Sequence, residues 1–128
     1  MNPWVFPLLT HNQYPKTMQT EFLNRIEIQG IVGAVNLNKV GNTSVLRFSV
    51  LTEHTYKGND GCVIVESTWH NVTCWQGDGL QDPSSINKGD AVNVKGRLRT
   101  YRFADSDGNE RVAQEIFANS VTKIERRD

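Results

Sequence analysis

Between residues 22 and 37 the apolar positions change phase. Ile26 and Ile28 fall on even numbers, alternating with Arg25, Glu27 and Gln29, whereas Val35 and Leu37 fall on odd ones, with Gly30 and Gly33 between. Side chains alternate between the two faces of a strand, so a slip of one residue marks a bulge or a sharp bend. A first strand that bends in this way, running from about Phe22 to Leu37, belongs in a strongly curved sheet rather than a flat one.

The rest of the chain is also strand-like. After the turn Val40-Gly41-Asn42-Thr43, a second strand from Ser44 to His54 sets Leu46, Phe48 and Val50 on one face. The Lys57–Gly61 loop is turn chemistry. A third strand follows from about Val63 to Trp75, a fourth from Asp90 to Phe103, and a fifth from about Glu110 to Glu125, with a hairpin tip at Ala104–Asn109. The segment Gln76–Gly89 is short and rich in Gly, Asp, Pro and Ser, which argues against a helix there. Five strands, one bent, with long hairpin loops and little helix point to an all-β, closed or nearly closed barrel. Among such barrels the five-stranded Greek-key form is the OB-fold. Residues 1–20 differ in character: they hold three of the four prolines and both methionines. They read as an N-terminal extension to a single domain spanning residues 21–125, with residues 126–128 as a short end.

Charge and composition exclude several classes. The 14 Lys and Arg balance 14 Asp and Glu, so the whole chain is not an electrostatic sponge, although one face can still be basic. No run of 18 apolar residues is present, which argues against a membrane helix. The start MNPWVFPLL lacks a basic region and a cleavage site, which argues against a secretory signal. Cys62 and Cys74 match no zinc spacing and read as reduced thiols of a cytoplasmic protein. No GxSxG, HExxH or P-loop occurs, and His11, His54 and His70 do not pair with other ligands at metal spacing. No enzyme, metal site or cofactor is expected.

The third and fourth strands carry the chemistry. In Trp69–Trp75, residues His70, Val72 and Cys74 share one face, and Trp69, Asn71, Thr73 and Trp75 share the other. In the fourth strand, Val92, Val94, Gly96 and Leu98 form the inward set, leaving Asn93, Lys95, Arg97, Arg99, Tyr101 and Phe103 outside. Residues 88–103 hold five cations, Arg102 among them, against the single carboxylate of Asp90; residues 104–128 hold four cations against six carboxylates. Aromatics among fixed cations suit single-stranded nucleic acid: every base has a face to stack, at about 1–3 kcal/mol per base, and cations hold the phosphates. The same faces serve equally as packing or subunit contacts. Arg47 has two readings as well, a phosphate contact or an ion pair with Glu27 or Glu53.

Residues 22 to about 125 resemble the bacterial single-stranded DNA-binding protein of the homotetrameric OB-fold type. The matching segments are Asn24–Gly30, Leu46–Thr52, Ser67–Val72, and Lys88-Gly89-Asp90 continuing through Val94–Thr100. The resemblance implies base stacking on Trp69, Trp75, Phe103 and, in the loop after the second strand, Tyr56; strand-face counting adds Tyr101. It implies a subunit interface near His70 and a homotetramer (or homodimer) on single-stranded DNA in the bacterial cytoplasm, associated with the nucleoid. Lys95, Arg97 and Arg99, helped by Arg47 and Arg102, are the expected phosphate contacts. Three departures stand out: the poorly helical Gln76–Gly89 segment, the N-terminal extension, and an end at Lys123–Asp128 without the family's acidic, aromatic-terminated tip. The alternative reading is a protein–protein accessory module of a replication-restart or conjugation complex.

Overall fold

The computed structural model describes residues 22–77, 79–80 and 82–125. The expected N-terminal extension and the short C-terminal end therefore lie outside the described residues. Five strands occur in the order β1 (Ile26–Val40), β2 (Thr43–Lys57), β3 (Val63–Trp75), β4 (Ala91–Ala104) and β5 (Glu110–Lys123). They form a closed barrel in the order β1-β2-β3-β5-β4, the architecture the alternating pattern calls for.

The phase change in β1 is what closes the barrel. Its first half pairs with β4, from Ile26↔Gly96 to Ile31↔Ala91. Its second half pairs with β2, from Ile31↔Leu51 to Val40↔Thr43, and the register shifts between Val32 and Val35. The irregularity lets one strand turn from one partner to the other while keeping Ile28 and Val32 toward the core. The remaining closure is short: β3 and β5 run parallel and pair only at Val72↔Ile116 and Thr73↔Phe117.

The core is a cluster drawn from every strand. It includes Val32 of β1, Leu46, Phe48 and Val50 of β2, Val72 and Cys74 of β3, Val92 and Val94 of β4, and Ile116, Ala118 and Val121 of β5. Each fully buried aliphatic side chain contributes about 1.5–3 kcal/mol by leaving water. The β3–β4 connection holds a single 3-10 turn, Pro83–Ser85, begun by Asp82, whose side chain accepts from the Ser84 N–H at 3.0 Å. That connection adds Leu80 and Ile86 to the core. Gly96 allows β4 to sit against β5, since a β-carbon there would lie 2.2 Å from the Phe117 carbonyl oxygen.

Two expectations change. The first strand begins at Ile26 rather than Phe22, because the Asn24 side chain replaces the backbone in the ladder. Its Nδ2 donates to the Leu98 carbonyl at 2.8 Å, and its Oδ1 accepts from the Leu98 N–H at 3.0 Å. Leu98, expected to face inward, is 43% exposed. β1 pairs with β4 only as far as Gly96, and beyond it β4 and β5 continue as an arm. Among the described residues no helix is long and apolar enough to cross a membrane.

Candidate nucleic-acid interface

The β2–β3 hairpin and the β4–β5 arm enclose an open groove of about 650 Å³. Its floor is the outer face of β2 and β3. Cross-strand register places Arg47 beside Thr73, Ser49 beside Asn71 and Leu51 beside Trp69. Ala34 and Asn36 of β1 border the floor, and Tyr101 and Phe103 of β4 form a wall. The two wall rings lie 5.8 Å apart, tilted by 34°, and Phe103 is 44% exposed. Phe103 is therefore open to a ligand, and Tyr101 beside it is half-buried.

Trp69 stands next to this groove. Its indole is 59% exposed and lies over Gly33, where a β-carbon would come within 2.6 Å of the ring and 2.7 Å of Ser49 Oγ. Ser49 Oγ itself accepts from the Ala34 N–H at 2.9 Å. Trp75, at the far end of β3, is half-buried and registers with Val45. The two tryptophans are six positions apart, about 20 Å along a strand, so they mark separate places on one face.

Tyr56 lies elsewhere. The β2–β3 register is unbroken, so Tyr56, His54 and Thr52 share the face of Val50 and His70, opposite that of Trp69. Tyr56 stacks on His54 with centroids 6.0 Å apart. His70 is half-buried, within hydrogen-bond distance of Thr52 Oγ1 through Nε2 (2.8 Å).

The cations divide in the same way. Arg47 is exposed, lines the groove and, among the described residues, forms no ion pair; Glu53 does not reach it, and Glu27 accepts from Asn93 at 2.9 Å. Lys95 is exposed opposite Glu27 on the β1 side of β4, away from the groove. Arg102 points to the other face of the arm and pairs with Glu110 at 3.1 Å, both exposed. Arg97 is exposed, with its guanidinium 5.0 Å from the Phe117 ring. Arg99 is held more tightly: it lies 4.4 Å from the same ring and bonds Glu115 through Nε (3.1 Å) and Nη2.

Three groove features escaped the sequence reading. Glu115 and Phe117 alternate with the buried Ile116 and Ala118 along β5, so strand periodicity could have found them. Thr73, read as part of an open polar face, is 2% exposed because its hydroxyl donates to Glu115 Oε2 at 2.7 Å beneath the Arg99 pair. Gly33 gave only a bend signal, since a close approach to an indole leaves no other trace in sequence.

Three turn carboxyls are shifted by their hydrogen bonds. The Arg111 side chain and the Asn109 and Asp107 N–H groups hold the Asp105 carboxyl below its ordinary range. The Asn87 N–H, and then Lys123, do the same for Asp90. The Cys62 N–H lowers Asp60. Among the described residues no group of three or more His, Cys, Asp or Glu is placed to hold a metal.

Residues 23–124 match the model of the single-strand binding protein family. The chain is 30% identical over 106 residues to the single-stranded DNA-binding protein 1 of Xylella fastidiosa, covering 80% of this chain and 77% of that one. It is also 30% identical over 81 residues to the single-stranded DNA-binding protein of Neisseria meningitidis serogroup A, covering 63% of this chain. It spans about half of that relative, 47% of its length. Among solved structures, the Plasmodium falciparum SSB complex with ssDNA superposes with a TM-score of 0.74 at 21% identity, covering 84% of this chain and all of that one. The small single-stranded DNA-binding protein of Streptomyces coelicolor gives a TM-score of 0.61 at 20% identity, covering 78% and 93%. At these identities the two structures speak for the barrel alone.

Proposed function

The chain belongs to the single-strand binding protein family, and from that premise we propose that it binds single-stranded DNA without sequence preference and without catalysis. The observation that carries this reading is the open groove in which Tyr101, Phe103 and Arg47 converge over a polar floor, with Trp69 adjoining. Aromatic rings accept unstacked bases of any identity, while an unpaired arginine takes phosphate. Duplex DNA offers the phosphates but leaves the rings unused, because its bases are already stacked.

The stacking set is then Phe103, Tyr101 and Trp69, with Trp75 reached by a strand that follows β3. Tyr56 is a contact only for DNA that wraps onto the opposite face of the hairpin. Arg47 is the principal phosphate contact within the groove. Arg97, Lys95 and Arg102 contact DNA that leaves it.

In the cell such binding would protect single strands exposed during replication, recombination or repair, on the nucleoid in the bacterial cytoplasm. A homotetramer (or homodimer) joined near His70 belongs to the same proposal. Several copies bring several grooves to one strand and raise avidity without new contacts. The exposed Val63, Ile64 and Val65 on the β2–β3 hairpin support an assembly that covers them.

The test is fluorescence anisotropy of a labelled oligo-dT competed by unlabelled single strand, duplex and RNA. Competition by single-stranded DNA and not by duplex is expected. Equal competition by duplex would overturn the single-strand reading, and no binding to any of them by a sample of defined oligomeric state would favour the protein–protein reading.

A further inference from the structure

The groove contains a carboxylate that the DNA-binding reading leaves unused. Glu115 is 8% exposed, and both its oxygens are occupied. Oε1 accepts from Arg99 Nε at 3.1 Å and from Nη2, and Oε2 accepts the Thr73 hydroxyl at 2.7 Å. Phe117 lies against the same guanidinium at 4.4 Å. The arginine is therefore engaged along one donor edge, Nε and Nη2, and over one face of its guanidinium plane, with its side chain still 38% exposed.

The position of this relay matters. The β4–β5 arm that carries Tyr101 and Phe103 leaves the barrel beyond Gly96, and β5 meets β3 only at Val72↔Ile116 and Thr73↔Phe117. The hydrogen bonds from Thr73 of β3 to Glu115 of β5, and from Arg99 of β4 to the same carboxylate, join three strands at that short closure. We infer that Glu115 is a positioning residue that neutralises Arg99 and fixes it as a strut, so that Arg99 holds the aromatic wall over β3 and does not serve as a phosphate contact. This inference rests on the proposed DNA-binding reading for its functional meaning.

The electrostatic consequence is specific. A free cation that takes a phosphate releases counterions and adds about 0.7 to the slope of log K against log salt for a single strand. An arginine already neutralised by a buried carboxylate adds nothing. The slope is therefore measured with oligo-dT for the full chain, for Glu115→Gln, and for the double variant Arg99→Gln/Glu115→Gln. Glu115→Gln, which frees the arginine, is expected to steepen the slope by about 0.7. The double variant, which removes the pair as a neutral unit, is expected to leave it unchanged. An unchanged slope in Glu115→Gln, or a slope shallower by about 0.7 in the double variant, overturns the inference.

A second arm needs no DNA. In Thr73→Val, amide hydrogen exchange is expected to speed up along Arg99–Phe103 while Val92 and Val94 stay protected. Unchanged exchange in the arm overturns the strut even if the variants above fail to fold. Loss of oligo-dT binding by the unaltered chain would defeat the DNA-binding reading instead, leaving the exchange result to judge the strut on its own.

Discussion

Gly33 and Trp69 meet so closely that a β-carbon at position 33 would sit 2.6 Å from the indole, so any larger residue there must push the ring aside. The β1 irregularity that closes the barrel thus also seats the exposed tryptophan beside the groove. Gly33→Ala is expected to displace the ring and weaken oligo-dT binding. Trp69→Ala sets the upper limit of that effect, about 1–3 kcal/mol or 5- to 150-fold, the range for one stacked base. Equilibrium titration of both variants checks this, with a thermal melt to show that the barrel is intact.

The two sides of the β2–β3 hairpin make a second prediction. Phe103→Ala removes part of the groove wall and is expected to cost about 1–3 kcal/mol of binding. Tyr56→Ala, on the face opposite Trp69, is expected to leave the affinity for a short oligonucleotide within about twofold, since a base it does not stack contributes nothing. Oligonucleotides of increasing length distinguish the two, because only a wrapping strand reaches Tyr56.

Salt dependence separates the cations. Arg47 lines the groove without an ion pair among the described residues, so Arg47→Ala is expected to shallow the salt slope by about 0.7. Lys95 lies opposite Glu27 outside the groove, and Lys95→Ala is expected to leave the slope for a short oligonucleotide unchanged. Titrations at four or five salt concentrations give both slopes.

The hairpin tip offers a pH test. Hydrogen bonds from Arg111 and from backbone N–H groups hold the Asp105 carboxyl below its ordinary value. A depressed folded-state pKa stabilises the turn above the unfolded value of about 3.9, and that contribution is lost as pH falls through the lower folded value. Amide protection of Asn109, whose N–H donates to Asp105 at 2.9 Å, is expected to persist through ordinary carboxylate titration and fail only below it. Asp105→Asn should remove that acid-dependent step.

Stability rests on the barrel interior. Leu46 is fully buried among Val50, Val72, Val92 and the rest of one cluster. Leu46→Ala is expected to cost about 2–5 kcal/mol through lost burial and a residual cavity. Urea unfolding followed by intrinsic fluorescence measures it.

The barrel was legible because its signals are local. Alternation in β2 to β5 and the phase slip at Gly30–Gly33 specify strands, faces and a bend without knowledge of what packs where. The groove was legible in part: Tyr101, Phe103, Arg47 and Trp69 fall on faces that period-two counting identifies. What counting could not supply was pairing between distant strands. Arg99 read as a free cation until Glu115, on another strand, proved to hold it. Tyr56 read as an aromatic in the loop after the second strand, but the unbroken β2–β3 register places it within β2, on the face opposite Trp69. Asn24 looked like part of a strand, and only its contacts with the Leu98 backbone showed a side chain standing in for the ladder.

In the proposed function, bases stack on the exposed aromatic face of this barrel. The most direct measurement is tryptophan fluorescence titrated with oligo-dT at low and high salt, with duplex DNA as control and Trp69→Phe to assign the signal. Strong quenching by the single strand is expected, weakening with salt, absent with duplex, and largely lost in Trp69→Phe. Equal quenching by duplex, or binding that leaves tryptophan emission untouched, would contradict the proposed function.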